Sequence, residues 1–204
     1  MTTGLKRLRA ATIALITLAV TAACGSAPPV PEDHFYRLQA DYASEPMATN
    51  ILSGTIEVDR FVADGLTSER SIVYSQSGKP NQVKTYHYHF WIKPPAVMLR
   101  DEIVSFLRMA NIAKAIVTPE LRVQADYVLS GKIEHLEQVR GENDRALIEV
   151  ELSLRGSADG KLLFLQSYRI ENESGGPSVA SAVDSLNTAL SIIYSDFVAD
   201  LGKL

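Results

Sequence analysis

Few residues of this chain have types and spacings that can carry chemistry. His87 and His89 stand two apart in a segment of extended character, so both imidazoles can share one strand face and ligate one metal ion. Such a centre needs three or four ligands, and His34 and His135 have no sequence relation to the pair. His135 and Glu137 share the parity of another strand, the placement an acid–base pair requires. Glu149 and Glu151 do likewise, and paired carboxylates are the equipment of glycoside hydrolysis. Each set has a plainer reading as a solvated strand face. Asp101-Glu102 reads as acids stabilising the start of a helix. The chain has no Gly-x-Ser-x-Gly elbow, P-loop or dinucleotide fingerprint. No catalytic residue, metal ligand or cofactor is assigned, and the expectation is a non-enzymatic protein.

The remaining reactive group is Cys24, the single cysteine. Lys6, Arg7 and Arg9 precede an uncharged segment over residues 10–23, and Thr21-Ala22-Ala23 leads into the cysteine. This is the layout of a signal peptide ending at a small-residue cleavage site. The uncharged run is shorter than the roughly 20 residues a spanning helix needs. The segment resembles the lipobox of bacterial lipoproteins, in which cleavage leaves the cysteine first and its sulfur carries a diacylglycerol. An uncleaved N-terminal anchor is the competing reading. Acylation also removes a free thiol from an oxidising compartment. Several acyl chains anchor stably where one does not. Gly25, standing where an Asp would retain a lipoprotein in the inner membrane, favours the outer membrane, facing the periplasm.

Cleavage removes three basic residues and no acidic one from a chain of net charge −4. An acidic chain without runs of basic residues is a poor partner for nucleic acid. Three segments are expected: residues 1–23 as signal peptide, 24–33 as a proline-rich tether, and 34–204 as one domain.

Within that domain, strands are expected at His34–Leu38, Gly54–Val62, Ser71–Ser75 and Lys84–Ile92, the last two joined through Ser77-Gly-Lys-Pro-Asn81. In the fourth, alternation puts Tyr86, Tyr88, Phe90 and Ile92 on one face and His87, His89 and Trp91 on the other. Most of this aromatic cluster is assigned to core, with Trp91, on the histidine side, as the candidate contact to another subunit or partner.

Pro94-Pro95 opens a helix with an apolar stripe of Leu99, Ile103, Phe106, Leu107 and Ala110. A short strand at Ala115–Val117 follows. Period-2 alternation then marks strands over Tyr127–Leu136, Ile148–Leu154 and Leu162–Ile170, a meander closed by Gly141–Asp144 and Asp159-Gly160. Ser178 caps a long helix whose seam runs Val179, Val183, Leu186, Leu190, Ile193 and Phe197, widened by Ala182, Ala189 and Ile192. The fold class expected is α+β, an antiparallel or mixed β-sheet with two α-helices packed on one face.

The order of these pieces resembles one family. The lipobox is followed by Phe35-Tyr-Arg-Leu38, Ile56-Glu-Val-Asp-Arg-Phe61 and Ser71-Ile-Val-Tyr74. Next come an aromatic strand ending Trp91-Ile-Lys-Pro-Pro95, the strand Tyr127-Val-Leu-Ser-Gly-Lys-Ile133, the meander and a closing helix. The chain is similar to the ABC-type transport auxiliary lipoproteins, the PqiC-like proteins. The resemblance implies partnership with an inner-membrane permease, its ATPase and an MCE-domain protein, in a machine moving phospholipids or other hydrophobic molecules between two membranes. It implies an outer-membrane component able to form a homo-oligomeric ring on the MCE channel. Only Cys24 is carried over, as the lipidated residue. The alternative is a monomeric periplasmic ligand- or metal-binding lipoprotein, and a hydrolase is a third option without an identifiable nucleophile–base pair.

Overall fold

The computed structural model describes residues 30–43 and 45–204. The first half of the domain contributes β1 (His34–Tyr36), β2 (Leu52–Val58), β3 (Val62–Ala63), β4 (Ser71–Gln76) and β5 (Lys79–Trp91). Helix α1 (Pro95–Ala110) follows, then β6 (Ala113–Val117), β7 (Tyr127–Arg140), β8 (Arg145–Gly156), β9 (Leu162–Glu173) and α2 (Val179–Leu201). The class is α+β with a mixed sheet, as expected.

Strand β7 is the trunk of the sheet. One side pairs antiparallel with β8, which pairs antiparallel with β9, giving the expected meander. The other side carries three parallel partners in turn. Ile56–Val58 of β2 lies against Tyr127–Leu129, Val62–Ala63 of β3 against Lys132–Ile133, and Val73–Gln76 of β4 against Glu137–Arg140. Beyond β2 lies β6, and beyond β4 lie β5 and then β1, so the sheet forks along its trunk.

Both helices cover the same face and share one core with it. Leu99, Ile103, Phe106, Leu107 and Ala110 of α1 are fully buried, as their spacing requires. Helix α2 buries Val183, Leu186, Leu190, Ile193 and Phe197, but Ile192 lies at the margin of the seam and is exposed. The Tyr194 hydroxyl donates to the Leu99 carbonyl oxygen at 2.8 Å and ties the two helices together inside the core. Local chemistry sets the helix starts. Pro95 takes the first position of α1, where its missing N–H costs nothing. The Ser178 hydroxyl accepts from the Ser181 N–H at 3.0 Å and caps α2.

After β1 the chain runs along both helices. Its N–H groups are satisfied by their side chains: Gln39 donates to Asn187, Ala40 to Glu102 and Asp41 to Ser191. The β4–β5 hairpin closes through Ser77-Gly78, and Gly78 takes the φ of 82° that such a tight turn asks of its glycine.

Candidate functional site

The densest grouping of polar and aromatic side chains lies where β1, β4 and β5 meet. The expected alternation along β5 breaks there. Between Val73↔Thr85 and Ser71↔Phe90, two steps on β4 oppose five on β5, so three extra residues form a bulge around His87 and Tyr88. Tyr86 and His89, of opposite parity, therefore come together, with ring centroids 5.3 Å apart. His89 stacks on His34 at 5.1 Å, and its Nδ1 lies 2.9 Å from the Tyr36 hydroxyl. Burial, followed by the neighbouring His34, pushes the His89 pKa down, so the neutral ring can accept from Tyr36. Burial pushes the Tyr36 and Tyr86 hydroxyls up. Tyr86 donates to Gln138 at 2.6 Å, and Gln138 passes the chain to Asp144 at 2.9 Å.

His87 and His89 thus stand in different surroundings, His89 among aromatic rings and His87 exposed on the bulge. The histidine pair that does meet is His34 and His89. Among the described residues no group of three or more His, Cys, Asp or Glu gathers in a way that can hold a metal ion.

Trp91 corrects the expectation of an exposed contact. It is 1% exposed and belongs to the core shared with both helices. The bulge leaves the end of β5 with Trp91 turned toward the core and Tyr88 and Ile92 exposed. Its N–H donates to the Arg70 carbonyl at 2.6 Å and its own carbonyl accepts from Arg70 Nε at 3.0 Å. Trp91-x-x-Pro-Pro is accordingly a core anchor followed by a helix start.

The helix-free face of the trunk carries a ladder of charges. His135, Glu149 and Arg169 are cross-strand neighbours on β7, β8 and β9, with Glu149 between Arg169 at 2.5 Å and His135 at 3.9 Å. Arg145 and Glu171 add a pair at 3.1 Å. The expected proximity of His135 and Glu137 exists at 3.8 Å, but Ser75 donates to the same Glu137 oxygen at 3.3 Å. The order is serine–carboxylate–imidazole. A nucleophile relay needs the imidazole in the middle, so this arrangement does not activate Ser75. Burial raises the Glu137 pKa against the opposing pull of His135 and Ser75. Ion pairs this exposed contribute at most about 1 kcal/mol each.

A pocket of about 230 Å³ lies between Arg60, Phe61, Ala96, Val97, Arg100 and Glu120, below the roughly 300–1,000 Å³ usual for small-molecule sites. Arg100 in its wall is already paired with Glu120 at 2.9 Å, and this contact helps hold the Glu120 carboxyl down at about 2, after hydrogen bonds from Thr118 and its own backbone. Among the described residues no helix is long and apolar enough to cross a membrane. Cys24 and the signal segment lie outside the described residues.

A crystal structure of a Xanthomonas campestris protein assigned to the DUF330 family superposes with a TM-score of 0.69 at 19% identity, covering 80% of this chain and 92% of that one. The crystal structure of an uncharacterized protein reaches 0.67 at 13% identity, covering 84% and 99%. Both are similar in fold. The PelC dodecamer of Paraburkholderia phytofirmans is more distant, at 0.45 and 16% identity over 72% and 91%. A comparison with curated proteins finds no match. The model of the ABC-type transport auxiliary lipoprotein component family matches residues 36–196, from β1 into the closing helix. The chain belongs to the ABC-type transport auxiliary lipoprotein family.

Proposed function

We propose that this protein is the lipid-anchored auxiliary subunit of an MCE-type ABC transport system that moves phospholipids or other hydrophobic molecules between the inner and outer membranes. In this reading Cys24 carries the acyl anchor, Gly25 directs it to the outer membrane, and residues 25–33 set the reach of the domain into the periplasm. ATP is hydrolysed by the cytoplasmic partner. This chain supplies the outer-membrane docking or exit component, with a homo-oligomeric ring on the MCE channel as its assembled form. The observation that carries the proposal is the family match over residues 36–196 directly downstream of a lipobox-like segment. The ion-paired sheet face supports a docking role.

Capture of the tagged full-length chain from detergent-solubilised membranes tests the proposal. An MCE-domain protein retained with it is the expected result. A captured chain free of that protein, from cells that make both, contradicts it. Stoichiometric metal in the same sample would favour the metal-binding alternative.

A further inference from the structure

We infer that the free edge formed by β1 and the β4–β5 hairpin is a membrane-contact surface, which docks the domain on the anionic phospholipid leaflet that holds its own anchor. The inference rests on the reading of Cys24 as that anchor.

Charge is the first observation. In a chain with 24 acidic and 20 basic residues, the stretch from Arg70 to Arg100 contains Arg70, Lys79, Lys84, Lys93 and Arg100 and no Asp or Glu. Lys93 and Arg100 are spent on Asp101 and Glu120. Lys79 and Lys84 are exposed and make no ion pair among the described residues. Arg70 lies over the Phe35 ring at 5.7 Å.

The second observation is apolar. Phe35, Val83, Tyr88 and Ile92 are each 42–56% exposed, and all lie on β1, on β5 or at its end. Apolar side chains with one polar-tipped ring, Tyr88, beside long basic side chains that bury their stems and lift their charges, suit the boundary between headgroups and acyl chains.

The third concerns the alternative occupant, another protein strand. β1 covers only His89–Trp91, so, among the described residues, residues 79–88 of β5 have an unpaired outer edge. That edge carries Lys79, Pro80 and Lys84 and ends in the bulge, the features that block strand addition. What remains available is side chains, not a hydrogen-bonding ladder. Finally, the chain enters the domain at His34 on this same edge, ten residues after Cys24. Fully extended, those residues reach about 35 Å at most, and they join the domain at this edge.

The test uses the full-length acylated protein in vesicles of phosphatidylcholine with and without phosphatidylglycerol. A fluorophore is attached at Tyr88→Cys or, on the same edge, at Val83→Cys. Asp159→Cys serves as control in the β8–β9 turn, beside the opposite end of β7. Expected are a several-fold loss of acrylamide quenching at positions 88 and 83 in phosphatidylglycerol vesicles and quenching there by brominated lipid. No change is expected at 159, and Lys79→Glu with Lys84→Glu should restore acrylamide access. Equal aqueous access at 88, 83 and 159 overturns the proposal. Protection without quenching by brominated lipid also overturns it, since the cover is then protein, a second copy or an acidic partner. A mass spectrum of the same sample showing an unacylated Cys24 overturns the anchor reading instead, and the geometry built on it.

Discussion

The Phe61 ring occupies the place where a Cβ on Gly131 would stand, 2.5 Å from its Cε2 and Cζ atoms. Gly131 is an interior residue of β7, and Phe61 is part of the core. The glycine of the Leu-Ser-Gly segment therefore makes room for a ring between β2 and β3. Gly131→Ala should destabilise the protein by about 1–3 kcal/mol through overpacking. Urea unfolding checks this, and pairing it with Phe61→Leu should cost less than the two single changes added together.

Tyr194→Phe removes the hydroxyl that joins α2 to the Leu99 carbonyl and leaves the ring packing against Phe106. A loss of about 0.5–1.5 kcal/mol is expected, because the bond is buried and neutral. No change in the urea midpoint would show that the bond contributes nothing net.

Trp91→Ala should cost about 3–5 kcal/mol, the range for emptying a core of a large aromatic side chain. Trp91→Phe should retain most of the stability, and with it any assembly or partner binding. Selective loss of partner binding in a fully stable Trp91→Phe variant would contradict a core role.

Glu137 has a pKa raised by burial, so the native state holds its proton to higher pH than the unfolded chain. Stability attributable to this group is full below the unfolded carboxyl pKa, about 4.3, and falls as pH rises through the native value. Glu137→Gln should therefore gain stability relative to wild type on going from acid to neutral pH. Denaturant midpoints at the two pH values measure it, and a relative loss would mean that His135 and Ser75 outweigh the burial.

Cys24→Ala should release the protein from the membrane fraction while the domain keeps its fold, seen by fractionation and circular dichroism. Retention in the membrane would return the N-terminus to the uncleaved-anchor reading.

Local chemistry made much of this fold legible in the sequence. Pro95 and Ser178 mark both helix starts, the Ser77–Asn81 turn signal marks the hairpin, which closes at Ser77-Gly78, and alternation marks the meander. The exception is β7, which shifts register between Ile133 and His135 and turns Leu136 into the core. Periodicity failed on β5, where Tyr86-His-Tyr-His-Phe-Trp91 alternates aromatic and imidazole rings but the bulge reverses the expected parity. The parallel pairings of β2, β3 and β4 with β7 leave no local signal at all. For that reason the meeting of His34 with His89 and the ladder from His135 to Arg169 were invisible until the strands were placed.

The mass of the captured, detergent-solubilised assembly tests the proposed docking of this subunit on an MCE-domain partner. A particle containing the MCE-domain protein and more than one copy of this chain is expected. A particle with the mass of a single chain, recovered while the MCE-domain protein remains in the unbound fraction, would contradict it.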